Sequence, residues 1–219
     1  LSGYKPLSEV VLMVRASYDP VLFITVPWDQ ARAELESGLE VVVTTDLGHA
    51  VVSRITEEGS DKEDVALAGH ELVKAKTYDY WLNNSGLKLV HNDPIVQKVA
   101  MTEMVGEKSY FERSTQIAHK GFEAFVKAIA VDEAEYSLLA HAELVMRTLG
   151  AEDNFNMISS GKHSNGVHPP RDRRLVQGDL VLAEISPAYQ GYFAQICRTA
   201  VIGEPDDTVK CNYNLLLQS

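Results

Sequence analysis

The run GDLVLAEISPAYQGYFAQICRTAVIGEP, residues 178–205, holds two β-rich stretches on either side of a proline-containing turn. Strand side chains alternate between faces. Leu180, Leu182, Glu184 and Ser186 therefore share one face of the first stretch, and Val181, Ala183 and Ile185 the other. In the second stretch Phe193, Gln195 and Cys197 fall together. A turn centred on Ala188-Tyr189 sets Glu184 opposite Phe193 and diagonal to Gln195, within reach of long side chains. A carboxylate inside an apolar strand is costly unless it is paired, hydrogen-bonded or bound to a ligand. The residues alone leave a structural ion pair and a ligand-binding or catalytic role both open for Glu184.

Upstream of the hairpin lies the polar loop GKHSNGVHPPRDRR, residues 161–174, preceded by the strand-like FNMISS at 155–160. His168 is the loop's candidate for chemistry, because imidazole gives and takes protons near neutral pH. Farther back are two helical patterns. Phe111, Thr115, Ala118, Phe122, Phe125 and Ile129 alternate steps of four and three, the stripe of a helix packed on a sheet. Leu138, Leu139, Ala142, Val145, Met146 and Leu149 form the next, which Asp132 and Glu135 open as a capping box and Gly150 stops.

The first block differs. VVLMVR at 10–15, PVLFITV at 20–26 and LEVVVTT at 39–45 read as strands, with a helix between the last two that Asp29 caps and Gly38 stops. This is a βαβ unit, hence a parallel α/β sheet. Ser60 to Glu63 reads as a capping box before one long helix carrying Val65, Leu67, Leu72 and Trp81, ended by Asn84-Ser85-Gly86. Asp93-Pro94 marks the expected boundary, because the residue before proline is pushed out of the helical region. The blocks are then 1–93 and 94–219.

Composition narrows the function classes. A formal net charge of −11 excludes a phosphate-backbone partner, which needs clustered Lys and Arg. Cys197 and Cys211 lack zinc-like spacing and read as reduced thiols. No apolar run approaches the roughly 20 residues that span a bilayer. The expectation is a cytoplasmic protein with no nucleic-acid or membrane partner.

The 178–205 run resembles a signature of the pita-bread hydrolases, the superfamily of creatinase, aminopeptidase P, prolidase and methionine aminopeptidase. Its metallopeptidases read G-D-x-V-x-x-D-x-G-x-x-x-x-G-Y-x-x-D-x-T-R-T, and the two later Asp bind a metal pair. Gly178, Asp179, Gly191, Tyr192, Arg198 and Thr199 fall in register, while Glu184 and Gln195 stand at the two Asp positions. The resemblance implies an α/β N-terminal block, a partial creatinase-type domain at 1–93, followed by the first half of an α+β pita-bread catalytic domain at 94–219. Its remaining metal ligands, one His and two Glu, belong to a second half beyond Ser219. Half a pseudo-symmetric sheet exposes an edge and an apolar face, so a longer parent protein, or a homodimer that completes the sheet, is expected. A G-x-H-x-P run like GVHPP occurs in creatinase, the metal-free member, where the histidine transfers the proton. The resulting expectation is a creatinase-like hydrolase of a C–N bond in a small amide or amidine, without cofactor. His168 would be catalytic, and Glu184 and Gln195 would bind a small-molecule substrate. The alternatives are an Xaa-Pro-type metallopeptidase with an unusual ligand set, holding Mn, Co or Zn, and a non-catalytic binding protein.

Overall fold

The apolar runs of the first block form β1 (Val10–Arg15) and β2 (Tyr18–Ile24), antiparallel with Val11 opposite Phe23. Helix α1 (Gln30–Ser37) carries the chain to β3 (Glu40–Val43), parallel to β2, the crossover that the spacing predicts. Gly38 ends α1 at φ 65°. Asp29 does not cap it. Its buried carboxylate instead takes two 2.7 Å hydrogen bonds from Arg32 and one of 2.5 Å from the Tyr4 hydroxyl. The Arg32 guanidinium, first among these, holds the Asp29 carboxyl below the usual carboxylate range.

Helix α2 (Leu47–Glu57), capped by Asp46 through the His49 N–H at 3.1 Å, has no counterpart in the sequence reading. The long helix expected up to residue 84 is also not formed. Among the described residues of that range, Val65–Leu67 lies in β4 (Asp64–Leu67), His70–Leu72 makes a single 3-10 turn, and the α-helix is confined to Ala75–Asn84, as α3. β4 runs parallel to β5 (Lys88–His91). Gly69, at φ 76°, separates strand from helix. A short apolar run cannot be told from a helix segment by period alone. Asp93-Pro94 opens α4 (Asp93–Ala100), where proline's missing N–H falls among donors that a helix start leaves free in any case.

This computed structural model describes residues 3–58, 64–84, 86, 88–102, 106–161 and 166–218; the Ser60–Glu63 pattern and His163 lie outside them. The chain divides into two compact units, Leu1–Glu103 and Met104–Ser219. No helix among the described residues is long and apolar enough to cross a membrane.

In the second unit α5 (Glu107–Ala128) and α6 (Glu135–Thr148) pack on one face of an antiparallel sheet. Its strands are β6 (Asp153–Gly161), β7 (Leu180–Tyr189), β8 (Tyr192–Phe193) and β9 (Ile196–Val201), with β7 between β6 and the β8–β9 edge. Helix α7 (Asp207–Leu217) follows, capped by Asp206. Ile158, Val181, Ala183 and Ile185 meet Ile117, Phe125, Leu138 and Met146 in the core. The α6 stripe is the one expected, but Asp132 does not cap the helix. It sits at φ 71°, and Glu135 is fully buried.

The α5 stripe is displaced. Phe111 and Thr115 are exposed, and the seam runs through Ser114, Ile117, Ala118, Gly121 and Phe125. Small residues let α6 approach closely, which a count of large apolar positions overlooks. A Cβ on Gly121 would lie 2.6 Å from both Cγ and Sδ of Met146. Gly121→Val is therefore expected to destabilise the protein by about 1–3 kcal/mol through overpacking. Thermal or denaturant melts would show it, and Met146→Ala should make the pair less than additive. Full additivity would contradict the close approach.

Candidate functional site

β7 is hydrogen-bonded along both edges. Glu184 pairs with Met157 of β6 on one side and Cys197 of β9 on the other. Leu180, Leu182 and Glu184 are partly exposed, whereas Val181, Ala183 and Ile185 are buried against the helices, as alternation requires. The hairpin turn lies at Gln190-Gly191, not at Ala188-Tyr189. Tyr189 pairs with Tyr192, and the turn residues have φ 52° and 81°, the left-handed pair of a type I′ turn. Pro187 stays in the strand, its carbonyl accepting from the Ala194 N–H at 3.1 Å and the Ser114 hydroxyl at 2.9 Å. Glu184 thus faces Cys197 rather than Phe193, and Gln195 becomes its diagonal neighbour from the opposite side.

The two polar residues meet. Gln195 Nε2 donates to Glu184 Oε1 at 2.5 Å. They line an open cleft of about 540 Å³ together with Phe155, Ser186, Phe193 and Ala194. Phe155 and Phe193 are each about half exposed, so two aromatic rings flank one carboxylate and one amide. Ser186 is buried, and among the described residues its hydroxyl has no hydrogen-bond partner. Sequence reasoning passed over Ser186 as a site residue although alternation sets it beside Glu184. The chain departs from the pita-bread signature at four of its fixed positions, Glu184, Ser186, Gln195 and Cys197. All four belong to this one face of the hairpin.

His168 is fixed through its backbone. Its N–H and carbonyl both pair with Ile158, each at 2.9 Å, so its register is that of Ile158 and Ala183 rather than Met157 and Glu184. It is half-buried and is not among the residues lining the cleft. Its Nδ1 lies 2.7 Å from the Pro169 carbonyl. A carbonyl only accepts, so this bond places the proton on Nδ1 and makes Nε2 the acceptor of the neutral ring. Of the neighbouring arginines, Arg171 and Arg174 are exposed and Arg173 is partly buried. Arg173 binds Asp179 at 2.7 Å, and Arg174 donates to the Asp132 carbonyl at 2.6 Å. Asp179, 1% exposed, also accepts the Val176 N–H at 2.9 Å and so sets the entry to β7. Arg198 donates to the carbonyl of Cys197 at 2.8 Å.

The model of metallopeptidase family M24 matches residues 109–219, just over half of the chain. The chain belongs to this family. Among curated relatives, an Xaa-Pro dipeptidase of Pyrococcus horikoshii is 29% identical over 130 residues, covering 58% of this chain and 37% of that protein. An uncharacterised peptidase of Bacillus subtilis is 28% identical over 138 residues, 62% of this chain and 39% of its own length. The matched stretches thus span well under half the length of these relatives. Among solved structures, the prolidase of Pyrococcus horikoshii superposes with a TM-score of 0.83 at 21% identity, over 99% of this chain and 61% of that one. An X-Pro aminopeptidase of Thermotoga maritima gives 0.78 at 23%, over 91% and 56%. At these identities the likeness is one of fold. The α/β block followed by part of an α+β pita-bread domain is that fold.

Membership of a metallopeptidase family overturns the expectation of a cofactor-free protein. The residues present here do not by themselves fit such a metal centre. Glu184 supplies one anionic oxygen donor, and its Oε1 is engaged by the amide of Gln195, whose NH₂ repels cations. Among the described residues no three His, Cys, Asp or Glu gather as ion ligands. Carboxylate oxygens suit Mn²⁺, and charge sets much of their affinity. Gln195→Asp, which adds an anion beside Glu184, is expected to tighten Mn²⁺ binding in calorimetric titration. Unchanged affinity would show that Glu184 and residue 195 do not face a common ion position.

Proposed function

We propose that the protein is a peptidase of Xaa-Pro type, with a peptide held against the Glu184–Gln195 cleft. What carries this reading is that the M24 match extends over His168, Glu184 and Gln195 while its named relatives include Xaa-Pro dipeptidases. The creatinase-like reading, a small amide or amidine as substrate, gives way to this one because those relatives are peptidases. In this proposal the blocks 1–93 and 94–219 serve as a partial N-terminal domain and part of the catalytic domain. The setting is cytoplasmic, and the protein acts as a homodimer.

The chain's own residues have distinct tasks. Glu184 and Gln195 offer a carboxylate and an amide to donors and acceptors of a bound peptide. Phe155 and Phe193 supply apolar walls, a fitting contact for a prolyl ring. His168 stands outside the cleft lining, in register with Ile158, so a role as proton shuttle requires the bound peptide to extend past the β6 edge. There, protonated at Nδ1 through Pro169, it would accept and return a proton at Nε2 during cleavage of the C–N bond.

The test is hydrolysis of Xaa-Pro dipeptides, compared with matched dipeptides lacking proline and with small amides, in the presence of Mn²⁺. Preference for the Xaa-Pro substrates is expected. His168→Ala should lower kcat by about 10²–10⁴-fold, the usual loss for a general acid–base. KM should change much less, because a proton shuttle acts as charge develops in the transition state. Cleavage of small amides but not of Xaa-Pro bonds, or full activity of His168→Ala, would refute the reading.

A further inference from the structure

We infer that Glu135 is a positioning residue for His168, an inference that rests on the role proposed for that histidine. Glu135 opens α6, yet its side chain is 0% exposed and points into the second unit's interior rather than to solvent. One carboxylate oxygen accepts from the Ser160 hydroxyl, and the other from the Arg171 N–H at 3.0 Å. Ser160 lies on β6 two residues beyond Ile158, the strand residue that pairs with His168 in both directions. Arg171 lies three residues beyond His168. One buried carboxylate therefore ties the strand that holds the histidine to the loop that carries it.

The span between the two ties is stiff. Residues 169 and 170 are both proline, each with φ locked near about −65°. A displacement at Arg171 is consequently passed to His168 rather than absorbed. The bond from His168 Nδ1 goes to the Pro169 carbonyl, so the path of these two prolines also sets the imidazole tautomer. Backbone bonds continue the clamp. Glu135 N–H donates to the Arg173 carbonyl at 3.1 Å, and Leu175 N–H to the Glu133 carbonyl at 2.9 Å. Arg173 closes the network, donating to Ser160 Oγ at 2.9 Å and to Asp179 at 2.7 Å.

Stability alone does not call for this arrangement, since replacing a buried ionic network by apolar residues is often neutral or stabilising. What it provides is a single conformation for residues 166–179. Glu135→Met keeps the length of the side chain but removes both acceptors and so breaks both ties, whereas Glu135→Gln could keep them, its NH₂ donating to the Ser160 hydroxyl and its carbonyl accepting from the Arg171 N–H.

The experiment is nitrogen-15 NMR of the His168 ring together with amide hydrogen exchange, on the protein and on Glu135→Met. In the native protein the neutral ring is expected as the Nδ1–H tautomer. In the variant it should become a mixture with the Nε2–H form. Exchange of the His168 amide should rise by about tenfold beyond any change at Val181 and Ile185, which report the sheet as a whole. If Glu135→Met fails to fold, Ser160→Ala breaks the strand tie alone and should give the same tautomer mixing. An unchanged tautomer with unchanged local exchange in the folded variant overturns the proposal. The role of His168 itself is decided separately, by the kinetics of His168→Ala, so a failure there is not confused with a failure of the clamp.

Discussion

The pleat of β7, bonded to β6 along one edge and to β8 and β9 along the other, is the constraint on which this site depends. A period of two leaves no intermediate choice. With Val181, Ala183 and Ile185 packed on α5 and α6, Glu184 and Ser186 must face the cleft. A one-residue slip would drive a carboxylate into the apolar core and expose Ile185. The core thereby sets the chemistry of the opposite face. Its close packing at Gly121 and Met146 matters to the site although neither residue is near it in sequence.

This alternation was legible in the sequence, and so were the α6 stripe and the parallel crossover of β2 and β3. The hairpin register was not. Pro187 reads as a turn residue, but it lies in β7, and the turn falls at Gln190-Gly191, where a non-glycine residue adopts a positive φ. The expected contact survived the wrong register for a simple reason. Moving the partner by four residues keeps every side chain on its face and exchanges one diagonal of Glu184 for the other, so Gln195 is still reached. The strand at 64–67 was read as helix because four apolar-rich residues do not carry a period, and because parallel pairing with residues 88–91 is invisible locally.

The buried polar network was beyond sequence reasoning altogether. Glu135 meets Ser160 across 25 positions and Arg171 across 36, and no local motif encodes either contact. In the sequence Glu135 has the pattern of half a capping box, a solvent-facing device, whereas its side chain is interior. Ser186 illustrates the reverse case. Its place beside Glu184 could have been seen from alternation, but an unpartnered hydroxyl becomes evident only in three dimensions.

Chemically, the hairpin face of this metallopeptidase-family chain carries one carboxylate and one amide, at the positions where the resemblance to the pita-bread signature expects two aspartates. The proposal places the substrate on this face, between Phe155 and Phe193. The decisive experiment is a crystal structure of the protein with a non-hydrolysable Xaa-Pro dipeptide analogue. The analogue is expected against Glu184 and Gln195, with its prolyl ring beside the phenylalanines. An analogue bound elsewhere, or a β7 register that turns Glu184 toward α5 and α6, would contradict it.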